Sequence, residues 1–224
     1  MCGRYTETRR EREWLRKHGI TVQEPDMFTP RYNIAPTQNA AIVIAADDGP
    51  RLQVARWGLI PSWAKDAATG SSLINARAET VATKPAFRSA FKRRRCLVLA
   101  DGFFEWQKIG AGKQAMYLRK RDGVPFMFGG IWERWTPPDG PEVQSFSIVT
   151  VAPNELAARV HDRMPLILDE SDFSAWLDPK TGPETLTALL RPCPAEGMEA
   201  YPVSSYVNSP RNIGPDCVAP LTSN

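Results

Sequence analysis

Prolines interrupt this chain so often that long helices have no room to form. Twenty are spread over 224 residues, and each fixes its own backbone and removes a hydrogen-bond donor. The segments between them read mostly as strands. "AAIVIAA" (40–46) and "RLQVARWGLI" (51–60) are joined by "DDGP", a hairpin signal. "CLVLADGFFEW" (96–106) reads as a buried strand, a turn at Asp101-Gly102 and a second extended piece. "AMYLRKRDGVPFMFGGIWERW" predicts another hairpin through Asp122-Gly123, and "SFSIVTV" (145–151) alternates with strand period. Helical signals are short: "RREREWLRKH" (9–18) as a surface helix ended by Gly19, "APNELAARVHDRM" (152–164) with Pro153 and Asn154 at its start and His161 near its end, then "ESDFSAWL" and "GPETLTALLR". The expected fold is α+β, a single domain over residues 1–224 with a mainly antiparallel, barrel-like β-sheet core flanked by short helices.

Composition narrows the setting. A hydrophobic content of 42% with 24% charged residues is that of a soluble globular protein, and no apolar run reaches the length of a bilayer span. The first residues are charged where a signal peptide is apolar, so a cytoplasmic location is expected. Cys2, Cys96, Cys193 and Cys217 are widely scattered and only His18 and His161 are present, so no metal site and no cofactor are expected. A net charge of +3 is weak evidence for a polyanionic partner, and its distribution matters more. Between Glu79 and Asp101 there are six basic residues and no acidic one. Lys84, Arg88 and Lys92 recur at helical spacing, with Phe87 and Phe91 on another face. This predicts an amphipathic helix whose basic side is either a solvated face or a phosphate-facing surface.

Cys2 is the most reactive prospect. If Met1 is removed, its thiol stands beside a free α-amine, with reference pKa values of about 8.5 and 7.7–8.0. Such a 1,2-aminothiol condenses with an aldehyde through its amine, and the thiol closes onto the same carbon as a five-membered thiazolidine. By position alone, Cys2 reads more readily as a small apolar residue near a chain end than as a reagent. Other polar residues sit in suggestive places. Asn75 and Arg77 share one face of an extended "INARAET". Glu105 follows an apolar run, where desolvation raises a carboxyl pKa and suits it to proton transfer. His161 and Arg163 lie in "HDRMP". Each also has a structural reading: Glu105 as an ion-pair partner, His161 as a charge at a helix end, Arg77 in a surface salt bridge.

Together, "MCGRY", "YNIAPTQ", "WGLIPSWAKD", "INARAET", "RRCLVLADGFFEW", "VTVAPNELAARVHDRMP" and "YPVSSYVN" resemble the SOS response-associated peptidase (SRAP) family of abasic-site processing proteins, in the family's order and over residues 2 to about 212. The resemblance implies an abasic-site sensor and shield that binds single-stranded DNA, including single-strand/double-strand junctions. It implies a covalent thiazolidine between Cys2 and the ring-opened sugar aldehyde, with self-processing of the N-terminus and reversal of the crosslink. On that model Asn75 orients the amine or the sugar, Glu105 shuttles protons, and His161 protonates the sugar ring oxygen or stabilises the intermediate. Arg4, Arg77 and Arg163 hold phosphates, Trp106 and Trp63 stack on bases, and Pro36 helps splay the strand. Where some relatives carry two adjacent tryptophans, this chain has Trp63-Ala64. A monomer in the bacterial cytosol, on the nucleoid when bound to DNA, is the expected state. The competing readings are an N-terminal-nucleophile amidohydrolase such as a glutamine amidotransferase, and a non-covalent single-strand binding module.

Overall fold

The computed structural model describes residues 2–8, 12–22 and 29–221. Its strands are β1 (Arg4–Glu7), β2 (Thr21–Val22), β3 (Arg31–Ile34), β4 (Asn39–Ala46), β5 (Gly49–Trp57), β6 (Asn75–Arg77), β7 (Arg95–Ala100), β8 (Gly102–Ile109), β9 (Gly112–Lys120), β10 (Phe126–Trp135), β11 (Val143–Val151), β12 (Met164–Pro165), β13 (Ile167–Leu168) and β14 (Met198–Pro202). The helices are α1 (Arg12–Lys17), α2 (Ala78–Val81), α3 (Arg88–Arg93), α4 (Glu155–Ala158), α5 (Phe173–Leu177) and α6 (Pro183–Leu189). None of the described helices exceeds the 7 residues of α6, as the proline content implies.

Strands β5, β4, β7, β10 and β11 form a closed ring. Four of its contacts are antiparallel. An odd number of strands cannot alternate direction all the way round, so one contact must be parallel. That seam is β11 on β5, with Ser145 opposite Arg56 and Phe146 opposite Trp57. A second, fully antiparallel sheet runs β14–β9–β8–β1–β3. The two sheets meet on Tyr5 of β1, whose ring lies 5.1 Å from Trp57 and 5.8 Å from Phe128 of the barrel, both edge-on. This is the α+β, barrel-cored architecture that the strand pattern predicts.

The chain crosses between the sheets several times, and two of the crossings follow β7 and β9. After β7 it turns through buried Asp101, whose carboxylate accepts hydrogen bonds from the Thr6 and Thr8 hydroxyls and from the Thr8 backbone N–H at 2.6 Å. The next residue is Gly102, where an added Cβ would lie 2.2 Å from the Tyr117 ring, so only glycine fits. The second crossing is the Asp122-Gly123 turn. Sequence predicts a hairpin here, and the turn is present, with Gly123 at φ 68°. However, β9 pairs with β8 and β14, whereas β10 pairs with β7, β11 and β13. The turn signal is local, and partner choice is set by which face of each strand must be buried. The "DDGP" hairpin is found as expected, with Ala46 opposite Gly49.

Two helices are shorter than their patterns. The 152–164 segment is helical only over α4, capped by the Asn154 side chain accepting from Ala157 N–H. Beyond it Met164–Pro165 pairs with β11, and a residue before proline disfavours helix. His161 therefore lies in the loop after the helix. The basic segment is helical only from Arg88, but its faces are as expected: Phe87 and Phe91 are buried, and Lys84, Arg88 and Lys92 are exposed. Of 9–18, residues 9–11 lie outside the described residues, and α1 buries Trp14 and Leu15 rather than lying free on the surface.

Arg95 locks these helices to the barrel. Its buried guanidinium donates to the backbone carbonyls of Phe91 (2.7 Å), Lys92 (2.9 Å), Trp176 (2.7 Å) and Asp178 (2.5 Å). Arg95→Ala removes this donor from all four carbonyls, of which Asp178 keeps a bond from Thr181 N–H, and should lower stability by about 3 kcal/mol. The expected signature is a fall in urea midpoint at unchanged m-value, with little recovery in Arg95→Lys, whose single ammonium cannot span the four carbonyls.

Candidate active site

Cys2 lies just before β1 and is fully buried, with Sγ 3.9 Å from the Arg4 carbonyl. Opposite β1 runs β8, with Tyr5 facing Phe103 and Arg4 facing Phe104. The same register carried back one step sets Gly3 beside Glu105, so Glu105 is delivered to the thiol by strand pairing. From the barrel side, β6 lies parallel on β11 with Asn75 opposite Ile148, and Asn75 Nδ2 donates to the Cys2 carbonyl at 2.8 Å. Three strands that are far apart in sequence thus converge on one residue.

The electrostatics follow from burial. Desolvation, with the Glu105 charge adding to it, pushes the Cys2 thiol well above its ordinary pKa, so it is held as a neutral SH. Glu105 is 3% exposed. Burial, reinforced by the negative charge of Asp162, raises its carboxyl to about 7. Near neutral pH it populates both the acid and the base form, as a group that both gives and takes protons requires.

The 159–163 loop lies against β8, where Gln107, two residues beyond Glu105, donates to the Arg159 carbonyl at 2.8 Å. Within it, His161 Nδ1 accepts from Arg163 N–H at 3.0 Å. The exposed Asp162 carboxylate also lies 2.9 Å from Nδ1, a contact that needs a proton there. Burial lowers the His161 pKa, which favours the neutral ring, the backbone bond at Nδ1 and the proton on Nε2.

The arginines are used unequally. Arg77 is exposed at the end of β6. Arg163 forks onto Glu79 at 2.6 and 3.0 Å and also donates to the Thr150 carbonyl at 2.6 Å. Arg4 donates to Asn33 Oδ1 and the Val207 carbonyl, each at 2.8 Å, and to the Asn208 carbonyl at 3.0 Å. Asn33 Nδ2 in turn donates to the carbonyls of Val207, Ser209 and Asn212. Arg4 and Asn33 thereby clamp the 207–212 loop to β1 and β3. Asn208 on that loop accepts from Trp106 Nε1 at 2.8 Å, fixing the half-buried indole. Trp63 is 64% exposed on the loop after Pro61. Pro36 is half-buried between β3 and β4, beside Thr37 at φ 71°, a costly conformation for a β-branched residue.

Asn33, Glu79, Thr150 and Asn208 were not singled out from sequence. Each sits inside or next to a block that was: "YNIAPTQ", "INARAET", "VTVAPNELAARVHDRMP" and "YPVSSYVN". Two buried oxygens at the site, Asn75 Oδ1 and Thr150 Oγ1, have no hydrogen-bond partner among the described residues. Unsatisfied buried acceptors are uncommon and mark places where a substrate group can supply the missing bond. Among the described residues no cluster of metal-ligating side chains occurs.

A family model described as "SOS response associated peptidase (SRAP)" matches residues 1–210. The chain is 42% identical over 221 residues to the abasic site processing protein YoqW of Bacillus subtilis, covering 97% of this chain and 99% of that protein. It is 33% identical to the abasic site processing protein HMCES of Gallus gallus, over 95% of this chain and 70% of that one. It is 31% identical to the abasic site processing protein YedK of Escherichia coli, over 99% and 100%. A crystal structure of a protein from Bacteroides thetaiotaomicron superposes with a TM-score of 0.88 at 28% identity, covering 99% of this chain and all of that one. With matching sequence blocks, the same fold and a family model spanning nearly its whole length, the chain belongs to the SRAP family.

Proposed function

We propose that this protein processes abasic sites by covalent capture: Cys2, made N-terminal by removal of Met1, takes the ring-opened sugar aldehyde of single-stranded DNA as a thiazolidine. The observation that carries this reading is the triad of Cys2 held by Asn75 at 2.8 Å with Glu105 raised to about 7 beside it. A general acid–base of that pKa suits the dehydration steps of imine chemistry better than it suits amide attack by a thiol held as SH.

Hydrolysis first releases Met1 and leaves the Cys2 α-amine. In its protonated form His161 gives its Nε2 proton to the sugar ring oxygen while the Glu105 carboxylate takes the proton of the C1′ hydroxyl, so the ring C–O bond breaks and the C1′ aldehyde forms. The amine adds to C1′ while it donates a hydrogen bond to Asn75 Oδ1, and a proton passes from the nitrogen to the new alkoxide to give the carbinolamine. Glu105 as acid protonates the departing hydroxyl, so water leaves and the C=N bond forms. The thiol then adds to that carbon, which leaves the nitrogen as a neutral N–H, and the thiol proton returns to the Glu105 carboxylate. The net change is aminothiol plus aldehyde to thiazolidine plus water, and water run backwards through the same steps releases the DNA.

In this reading, exposed Arg77 binds a phosphate directly. Arg4 retains two N–H donors for a phosphate beyond the three bonded to Asn33 and the 207–212 loop. Trp106, and Trp63 farther out, present faces to bases, and Pro36 on its rigid loop parts the strand. The protein acts as a monomer on single strands and junctions in the cytoplasm, and no described helix is long and apolar enough to cross a membrane.

Incubation with an abasic oligonucleotide should give a heat-stable adduct on a denaturing gel, abolished in Cys2→Ala. Absence of the adduct from Met1-free protein, with glutamine hydrolysis in its place, would overturn the proposal in favour of an amidohydrolase. Glu105→Gln should slow adduct formation and reversal at least about tenfold, since acid–base groups contribute roughly 10²–10⁴.

Glu105 also gives a stability test. A carboxyl whose folded pKa is raised to about 7 costs nothing while protonated in both states, and destabilises progressively as pH climbs from the unfolded value toward 7. Glu105→Gln should therefore match wild type near pH 4 and exceed it at pH 8, by up to about 3 kcal/mol. Equal denaturation curves at both pH values would show that the carboxyl is not held in this state.

For Arg163, any phosphate must compete with the Glu79 carboxylate that already fills its fork. Glu79→Gln should tighten binding of undamaged single-stranded DNA several-fold, measured by fluorescence anisotropy at low salt. Weakened binding would instead make Glu79 the support that holds Arg163 in place.

A further inference from the structure

The basic segment 84–95 takes no part in the chemistry above, yet its charges are not disposed as a solvated face usually is. Two of its six cations are consumed by the fold: Arg94 pairs with Glu133 at 2.6 Å, and Arg95 is buried on carbonyls. Lys84 sits 5.7 Å from the centre of the Phe87 ring. The other three, Arg88, Lys92 and Arg93, are exposed and have no carboxylate partner among the described residues.

These three form one wall of a groove of about 870 Å³ between α3 and the segment leading into α6. Lys180, nearly ninety residues away in sequence, stands in the opposite wall, and Phe91 and Leu186 lie among the lining. Four cations and no acidic side chain line it. By contrast, the groove beside Cys193 is lined by Glu155, Asp169, Asp172 and Glu196 against the single cation Arg191. Basic walls around apolar side chains suit a single nucleic-acid strand, whose phosphates need cations and whose sugars and bases need apolar contact. A free inorganic anion would have no use for the apolar part.

We propose that the α3–Lys180 groove is a second binding surface for the single-stranded DNA backbone, separate from the Cys2 site and engaging the strand at a distance from the lesion. None of Cys2, Asn75, Glu105, His161 or Arg163 lines it. It is connected to the site by sequence: the chain runs from Arg77 through α2 and the turn carrying Lys84 to Arg88. Eleven residues cannot span more than about 40 Å, so a 30-nucleotide strand, about 100 Å long at the stacked spacing of about 3.4 Å, exceeds the separation of the two surfaces. The proposal rests on the DNA-binding part of the function above and not on the covalent step.

The test compares undamaged single strands of 7 and 30 nucleotides and a 30-base-pair duplex, titrated against the full chain at several salt concentrations. The triple variant Arg88→Gln/Lys92→Gln/Arg93→Gln, and separately Lys180→Gln from the opposite wall, change exposed residues only. For the 30-mer the triple variant should lose about tenfold in affinity, and the slope of log K against log salt should shrink by about 2. Lys180→Gln should shift both in the same direction by a smaller amount. Binding of the 7-mer, and adduct yield on a 7-mer abasic strand, should stay at wild-type level. Unchanged 30-mer binding would overturn the proposal and return α3 to a solvated face. Equal losses on both lengths, or a loss confined to the duplex, would overturn it as well. If wild type forms no adduct while the length-dependent loss persists, covalent capture fails and the groove stands.

Discussion

A ring of five strands needs one parallel seam, and the seam is where this protein builds its candidate site. Along β11, Ser145 and Phe146 face Arg56 and Trp57, after which β5 leaves the barrel at Gly58. Gly58 has φ 122°, and a Cβ there would lie 2.6 Å from the Gly70 carbonyl oxygen; at Gly70 a Cβ would lie 2.4 Å from the Gly58 oxygen. Two glycine backbones in contact thus close the 59–74 excursion, and the chain returns as β6 to take the vacated edge of β11 with Asn75 opposite Ile148. Had β5 simply continued, its own side chains would line that edge, and no amide would reach the Cys2 carbonyl. The Trp57 indole donates to the Ile74 carbonyl at 2.9 Å, so the barrel core holds the returning strand one residue before Asn75.

From the other side, Cys2 is brought in by β1, which belongs to the second sheet and touches the barrel through Tyr5. Cys2 therefore lies at a sheet–sheet joint and is buried. That placement has a thermodynamic cost, because a carboxyl raised to about 7 opposes folding at physiological pH. Sites that trade stability for reactivity in this way are a recurrent feature of functional proteins. The well-filled aromatic joint of Tyr5, Trp57, Phe128 and Phe146 beside it is the compensating packing.

What sequence revealed was whatever depends on near neighbours. Strand periodicity, the 47–48 hairpin turn and the two faces of the basic segment are written in residues a few positions apart. So was the desolvated setting of Glu105, because an apolar run carried it. What sequence could not reveal is which sheet a strand joins: β9 and β10 flank a good turn yet belong to different sheets, a choice made by burial across the whole molecule. Helix ends were misjudged for a similar reason, since pairing of Met164–Pro165 with β11 overrides the helical pattern of 152–164. At the site, the residue types were legible and their allegiances were not. Arg4 and Arg163 look alike in sequence, but one staples a loop and the other grips Glu79.

Arg93, Arg94 and Arg95 show this limit most sharply. Three identical neighbours enter three environments: the first is exposed on the groove, the second pairs with Glu133, and the third is buried against four carbonyls. Their divergence has one cause. The end of α3 meets the start of β7 between them, so the backbone passes from a period of 3.6 to a period of 2 within the run. Arg93 still follows the helix and projects outward with Lys92, whereas Arg95 already follows the strand and is turned into the protein. The switch in period decides which arginine holds the barrel to its helices and which remains available to a polyanion, and no count of charges carries that information.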